Sequence, residues 1–139
     1  MKGIAQFFLS IYIAVYRLTK GRFGGSMAGL GVLLLTTTGR KTGKVRTVPL
    51  GFLRDNENYV IIASNMGADS NPGWYFNVQS NPQVTIQVDD HEMKATAKTA
   101  DADTRKRLWE QLVKISPRYG TYETKTSREI PMVILTPAK

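Results

Sequence analysis

The sequence predicts an α+β protein dominated by antiparallel β structure, in which about six short strands form a small barrel and three helices flank it. Strand-like runs follow one another through compact polar turns, and residues 83–88 and 93–98 alternate between apolar and polar positions around such a turn. Helical patterns are confined to an apolar N-terminal stretch, a short segment after residue 71 and a segment capped by Asp101 or Asp103 that ends near Ile115. Hairpin-linked strands without an internal repeat favour one closed sheet.

The N-terminal helix is predicted over residues 4–18, which are mostly apolar. This stretch is shorter than the roughly 20 apolar residues that span a bilayer. No small-residue cleavage site precedes the charged segment 17–22, so we do not expect a cleaved signal peptide. Packing on the barrel or in a dimer is slightly favoured over a membrane interface, which the cations at the helix ends would also suit. We expect a cytoplasmic protein, either free or peripheral at the inner face of the cell membrane.

The predicted domain division follows from this helix. Residues 1–30 comprise the apolar helix and a glycine-rich link, and residues 31–139 comprise the barrel. Residues 33–38 and 44–50 are predicted strands joined by the turn 39–43, and Pro49 indicates a sheet edge or a bulge because proline cannot donate a ladder hydrogen bond.

The next elements follow from local signals. Residues 59–64 are a predicted buried strand, followed by a loop and a short helix with Asn71 as its N-cap and Pro72 at its first position. Residues 116–128 are predicted to be a loop, and residues 131–136 are the last strand.

Charge is distributed unevenly along the chain, whose net charge is +8. The first 54 residues contain nine Lys and Arg residues and no Asp or Glu, whereas the remainder is close to neutral. This asymmetry indicates an anionic partner such as nucleic acid, anionic lipid or a polyanionic cofactor. A nucleic-acid binder is disfavoured, because it would need exposed aromatic side chains among the cations, and here the cations lie in a turn beside buried strands.

Several kinds of catalytic site are excluded by composition and spacing. The chain of 139 residues has no cysteine, and its one histidine, His91, lies in a polar turn, so no metal site and no catalytic triad is expected. The glycine pair of the 39–43 turn is one residue too close for a phosphate-binding Walker loop, and Val45 replaces its Ser or Thr. With few acid–base groups present, we expect a cofactor to carry the chemistry of any reaction.

One arrangement of residues does suggest a ligand. The basic turn with Arg40 and Lys41, the strand-end hydroxyl of Ser64 and the helix start near Trp74 suit a ligand with an anionic tail and a flat ring. Each residue taken alone has a plain structural explanation, so this hypothesis rests on their combination.

An ordered series of motifs then resembles the deazaflavin-dependent nitroreductase family. The series consists of residues 34–43, Arg46-x-x-Pro49-Leu50, Ala63-Ser64, Asn71-Pro72-x-Trp74-Tyr75-x-Asn77, Asn81-Pro82, Trp109, Pro117-x-Tyr119-x-x-Tyr122 and Ile130-Pro131. The resemblance implies a split β-barrel like that of flavin-mononucleotide-binding oxidases. It also implies binding of coenzyme F420, whose reduced form delivers a hydride to enones, quinones or nitro compounds.

The resemblance further implies roles for individual residues. The turn residues would hold the phosphate and glutamate tail, the segment from Arg46 to Gly51 would lie along the ring, and the residues from Ile62 to Asn65 would meet the ring edge. The implied cofactor-binding residues are Arg40, Lys41, Thr42, Arg46, Thr47, Val48, Pro49, Leu50, Gly51, Ile62, Ala63, Ser64, Asn65, Gly73, Trp74, Tyr75, Phe76, Asn77 and Tyr119. The candidate catalytic residues, which could donate a proton to the acceptor, are Tyr119, Tyr122 and Ser64.

Three positions depart from the family pattern. Asn65 replaces a lysine, which removes one cation near the coenzyme. Gly51 and Ser116 replace tyrosines beside the substrate, which predicts a wider or differently shaped acceptor site. We expect an F420-dependent reductase whose partner is a small-molecule acceptor that is hydrophobic and electron-poor, with flavin mononucleotide a weaker cofactor candidate and a homodimer possible. The alternative is a non-catalytic barrel that binds a flavin, deazaflavin or tetrapyrrole.

Overall fold

The computed structural model describes residues 2–22, 24–27 and 29–138. A short 3-10 turn, Asn65–Gly67, follows the fourth strand. The helices and strands, in chain order, are α1 Lys2–Thr19, β1 Ser26–Met27, β2 Leu30–Thr38, β3 Val45–Asp55, β4 Asn58–Ile62, α2 Gly73–Ser80, β5 Gln83–Val88, β6 His91–Thr99, α3 Ala102–Ile115, α4 Arg118–Lys125 and β7 Met132–Pro137.

Six antiparallel strands close into a barrel, as the sequence predicts. The sheet order is β2-β3-β4-β7-β6-β5, and β5 pairs back onto β2, while the short β1 extends β2. The interior is apolar because alternate residues of each strand point inward. Its fully buried side chains include Leu33, Leu35, Ile61, Ile86, Val133 and Leu135.

Two helices cover different parts of the outer barrel surface. Leu108 and Leu112 of α3 are fully buried against the outward residues of β4 and β7. Burying one leucine side chain contributes about 1.5–3 kcal/mol, so this helix is an integral part of the fold. Its start is fixed as predicted by Asp101, whose carboxylate accepts a hydrogen bond from the Thr104 amide at 2.8 Å.

Helix α1 packs on the barrel along one face only. Tyr16 is fully buried, and its hydroxyl donates to the Val32 carbonyl and accepts from the Asp89 amide, each at 2.8 Å. The opposite face of the helix is apolar and exposed. Its members are Ile4, Phe7, Phe8, Ile11, Val15 and Leu18. No helix in the described ranges has both the length and the hydropathy that crossing a membrane requires.

The first half of β3 lies at an open edge of the barrel. Its residues from Val45 onward pair with β2, including Pro49 opposite Leu34, but pairing with β4 begins only at Phe52. The edge predicted from Pro49 is therefore confirmed. An unpaired strand edge beside a groove leaves backbone groups free to meet a ligand.

Several predicted boundaries were wrong. The predicted loop 116–128 contains α4, in which Tyr119 and Tyr122 are one helical turn apart and pack against the α3 side of the core. Part of the glycine-rich link forms β1. Helix α2 begins at Gly73 with Pro72 as its N-cap, because the Asn71 side chain is instead engaged by Arg128 at 2.7 Å.

Candidate coenzyme groove and acceptor cleft

The basic turn between β2 and β3 is held in place by local hydrogen bonds. The Gly39 amide donates to the Lys44 carbonyl at 2.7 Å, and the Gly43 amide, in a residue with a φ of 71°, donates to the Gly39 carbonyl at 2.8 Å. Gly43 is suited to this left-handed conformation because it has no Cβ. The result is a compact turn that presents Arg40 and Lys41 to solvent.

Asn77 joins this turn to helix α2. Its side-chain oxygen accepts from the Arg40 amide at 3.2 Å, and its side-chain nitrogen donates to Thr37 at 3.1 Å. The Arg40 guanidinium lies 5.1 Å from the centre of the Phe76 ring, a cation–π distance. The turn and the start of α2 therefore form two walls of one groove.

This coenzyme groove has a volume of about 470 Å³. Its lining combines cations, hydroxyls and the N-terminal end of α2. The lining residues are Thr37, Gly39, Arg40, Lys41, Thr42, Arg46, Val48, Pro72, Gly73, Trp74 and Asn77. Among the described residues, the ion pairs are His91–Asp90, Arg105–Glu129 and Arg107–Asp55, so the cations of the groove have no carboxylate partner. An anionic ligand would meet unneutralised positive charge there.

A second cavity, of about 420 Å³, adjoins the groove. We call it the acceptor cleft, and it shares Val48, Pro72 and Trp74 with the groove. Its other lining residues come from α1, β3, the end of β4 and α4. They are Leu9, Pro49, Leu50, Gly51, Ile62, Ser64, Asn65, Met66, Arg118, Tyr119 and Tyr122. The cationic turn therefore lies on one side of the shared residues, and a chamber lined by aromatic and aliphatic side chains lies on the other.

Tyr119 lines this chamber and is partly buried. Its ring packs edge-on against Tyr122, with 5.4 Å between centroids, and a Cβ added at Gly51 would stand 3.6 Å from its hydroxyl. That hydroxyl has no hydrogen-bond partner within the described residues. Burial, reinforced by the neighbouring Tyr122, raises the pKa of Tyr119 above its ordinary value, so the group stays protonated at neutral pH.

Ser64 lies at a sharp change of chain direction. It is partly buried and lines the cleft, and its carbonyl accepts hydrogen bonds from the Gly67 amide at 2.9 Å and from Arg128 at 2.8 Å. The next three residues all have positive φ: 47° at Asn65, 55° at Met66 and 82° at Gly67. Left-handed conformations are unfavourable for residues with a Cβ, so this turn needs support from its surroundings.

Four of the sequence-predicted residues lie outside both cavities. Thr47 is on the outer face of β3, 2.8 Å from the hydroxyl of Thr36. Ala63 and Tyr75 belong to the barrel interior, and Phe76 lies beneath Arg40. The remaining predicted residues line one cavity or the other, and their ligand contacts stay a prediction.

Sequence reasoning missed several lining residues. The sequence predicted Leu9 only as part of a helix, Thr37 only as a strand residue and Pro72 only as the first residue of a helix, but all three line a cavity. Met66 and Arg118 gave no signal, because each reaches the cleft through a turn or helix that local patterns did not predict.

The lining chemistry fits a deazaflavin coenzyme. The unpaired cations of the turn suit a phosphate and glutamate tail. The strip along Val48 and Leu50, with the indole of Trp74, suits one face and edge of a flat ring.

Comparisons with known proteins agree with this fit. The family model of the F420H(2)-dependent quinone reductases matches residues 9–137. An F420H(2)-dependent quinone reductase of Mycobacterium tuberculosis is 42% identical over 133 residues, which cover 92% of this chain and 89% of the relative. A solved F420-H2-dependent reductase has a TM-score of 0.69 and 41% identity, covering 75% of this chain and 92% of its own. A solved domain-swapped dimer has a TM-score of 0.72 and 34% identity, covering 94% and 98%. The chain belongs to the F420H(2)-dependent quinone reductase family.

Proposed function

We propose that this chain is an oxidoreductase that uses reduced coenzyme F420 to reduce a hydrophobic quinone in the acceptor cleft. The observation that carries the proposal is the adjacency of the two cavities, which share Val48, Pro72 and Trp74 in their linings. A ligand whose tail is fixed among cations would thereby have its ring beside a chamber lined by tyrosines. The coenzyme supplies the hydride, and the chain supplies binding, orientation and a proton.

The coenzyme groove would hold the anionic tail. Arg40, Lys41 and Arg46 provide charge, and Thr42 provides a hydroxyl. At the start of α2, Gly73 is exposed and has no heavy atom within 4 Å of where a Cβ would be, so a phosphate would have room beside this helix N-terminus.

The acceptor cleft would serve the chemical step. Hydride addition to a quinone leaves negative charge on an oxygen, which a positioned donor stabilises. The protonated hydroxyl of Tyr119 is free to make that hydrogen bond, with Tyr122 and Ser64 as further candidates. Enones and nitro compounds are second acceptor classes to test, because hydride addition to them also leaves negative charge on an oxygen.

A coenzyme titration tests this function. Purified protein should bind F420 more tightly than flavin mononucleotide, and affinity should rise with glutamate-tail length and fall with added salt. Equal affinity for a tail-less fragment would contradict the assigned groove. In a single-turnover experiment, adding a quinone should oxidise the bound reduced coenzyme. If the coenzyme binds but no acceptor oxidises it, the chain is the non-catalytic binding module instead.

We also propose a position for residues 1–30, with 31–139 as the coenzyme-binding part. The exposed face of α1 presents Phe7 and Phe8, each more than 60% exposed, and Arg17, Lys20 and Arg22 follow at its C-terminal end. An apolar helix face with adjacent cations suits an anionic membrane surface. The chain would then sit peripherally at the cytoplasmic face of the membrane, near hydrophobic quinones.

Vesicle binding distinguishes this location from a dimer interface. The double variant Phe7→Ser/Phe8→Ser should lose binding to anionic vesicles, whereas Ile115→Ser, which alters an exposed apolar side chain of α3, should retain it. If the wild-type protein does not bind vesicles and is a dimer, whereas the double variant is a monomer, the exposed face of α1 is a homodimer interface instead. The similarity to a solved domain-swapped dimer is a reason to measure the oligomeric state in the same experiment.

A further inference from the structure

Arg128, between α4 and β7, forms an unusual set of hydrogen bonds behind the cleft. Its Nε donates to the Ala68 carbonyl at 2.8 Å, and its Nη2 donates to the Ser64 carbonyl at 2.8 Å. Its Nη1 donates to the Ala63 carbonyl at 3.2 Å and to the side-chain oxygen of Asn71 at 2.7 Å. One guanidinium therefore connects the end of β4 to the segment that enters α2.

The partners of this guanidinium are all neutral. Arg128 is partly buried, and none of the ion pairs among the described residues includes it. Hydrogen bonds from a charged donor are stronger than neutral ones, and the planar fork of arginine can serve several carbonyls at fixed angles. A lysine, with a single nitrogen, cannot reproduce this geometry.

The segment that Arg128 spans is the left-handed turn beside the cleft. Asn65 and Met66 both have positive φ, a conformation that costs free energy for residues with a Cβ. Local support comes from the Ala68 amide, which donates to the Asn65 carbonyl at 3.0 Å. Arg128 adds support at both ends of the turn, at Ser64 and at Ala68.

The turn is also fixed against α4. Gly67 is buried, and a Cβ added there would stand 3.1 Å from Cδ of Lys125 and 3.4 Å from Cα of Tyr122. The turn therefore lies between Arg128 and the helix that carries Tyr119. Its shape determines how Ser64 and Asn65 face the cleft.

We propose that Arg128 is a positioning residue for the coenzyme ring: it holds the 63–68 segment in the conformation that presents Ser64 to the ring edge. This inference rests on the proposed function, which places the ring beside that segment. Arg128 itself lines neither cavity, so its action is exerted through the backbone it binds.

The test compares Arg128→Lys with a matched control. Arg105→Lys also removes an arginine that donates to a backbone carbonyl, that of Ile130 at 2.8 Å, but on the α3 side away from the cleft. Arg128→Lys should weaken F420 binding about tenfold or more, as expected for losing charge-assisted hydrogen bonds. Amide hydrogen exchange at Gly67 and Ala68 should accelerate in the apo protein. Arg105→Lys should change neither quantity.

Two further readouts separate positioning from general stability. At saturating F420, the absorption band of the bound coenzyme should differ between Arg128→Lys and wild type, whereas a purely structural loss would leave that spectrum unchanged. Guanidinium ion at low millimolar concentration should partly restore binding to Arg128→Ala. If Arg128→Lys does not fold, Asn71→Ala removes one partner only and should weaken binding about twofold to threefold while exchange at Ala68 accelerates.

The outcomes distinguish this inference from the function on which it rests. If wild type binds no F420, the proposed function fails, and the role of Arg128 toward the ring fails with it. If wild type binds F420 and the variants match it in affinity, exchange and spectrum, only the role of Arg128 is overturned. Loss of affinity without a change in exchange or spectrum also overturns it.

Discussion

The two cavities are built in opposite ways. The cationic side of the coenzyme groove comes from the 39–43 turn and from Arg46 at the start of β3, and the hydrogen bonds of the turn are mostly internal. The acceptor cleft instead combines residues from Leu9 to Tyr122, carried by α1, β3, β4, α2, α4 and the turn that follows β4. Binding of the tail therefore depends on local chemistry, whereas acceptor choice depends on how distant elements pack.

The cavities also differ in electrostatics. Arg40, Lys41 and Arg46 are exposed charges that salt can screen. Among the described residues, the lining of the cleft has one cation, Arg118, beside the uncharged hydroxyls of Ser64, Tyr119 and Tyr122. Burial raises the pKa of Tyr119, so this hydroxyl stays protonated at neutral pH. Substitutions in the groove should thus affect coenzyme affinity, and substitutions in the cleft should affect turnover or acceptor choice.

The largest effect is expected from removing charge at the turn. Arg40→Ala/Lys41→Ala should weaken F420 affinity about a hundredfold, because two charge-assisted contacts to an anionic tail are lost. Turnover at saturating coenzyme should change little. Titration at two salt concentrations should show a smaller salt dependence in the variant than in wild type.

Lys44→Ala provides the matched control for this prediction. Lys44 is an exposed cation of the same turn but does not line the groove. Its loss should lower affinity much less than loss of the Arg40 and Lys41 pair. Equal effects would mean that overall positive charge, rather than the groove, attracts the coenzyme.

The contrast between features set by local sequence and features set by the packing of distant elements also explains which parts of the structure the sequence could predict. The strands, the turn and the cap at Asp101 follow from local patterns, and the edge at Pro49 follows from its missing amide proton. Helix α4 was missed because Gly120 and three threonines in the predicted loop outweighed the spacing of Tyr119 and Tyr122. No local pattern could place Leu9 or Arg128 beside the cleft, since both reach it through tertiary packing.

A smaller effect is expected from the proton donor. Tyr119→Phe should lower quinone turnover about tenfold while leaving F420 affinity unchanged, because it removes a hydroxyl that acts on the developing oxyanion. Steady-state kinetics at saturating reduced coenzyme, with a parallel titration, measures both quantities. Tyr59→Phe is the control, because its hydroxyl accepts from Arg54 at 3.0 Å outside the cleft.

The pH profile sharpens this prediction. Burial raises the pKa of Tyr119 above the ordinary value of about 10, so its proton is lost only as the pH rises through that higher value. Wild-type turnover should therefore show no tyrosine-dependent decline between about pH 6 and 9. If Tyr119→Phe turns over every acceptor at the wild-type rate, solvent supplies the proton.

The smallest expected effect is a change in the preference for acceptor size when Gly51 is substituted. A Cβ at this position would stand 3.6 Å from the Tyr119 hydroxyl and 3.1 Å from Cδ1 of Leu30, so a larger side chain would enter the cleft after a small shift of that leucine. Gly51→Tyr should lower turnover of bulky acceptors relative to compact ones by about threefold to fivefold, a change typical of altered packing in an apolar pocket.

Gly51→Ala separates the effect of the added ring on acceptor preference from the effect of displacing Leu30. It introduces the same close contact without the bulk, so it should leave the ranking of a panel of small and large acceptors close to that of wild type. If both variants narrow the range equally, movement of Leu30 is responsible. If Gly51→Tyr leaves the ranking unchanged while both proteins bind F420 normally, the acceptor does not approach β3, and the chamber between α1 and α4 is not where it binds.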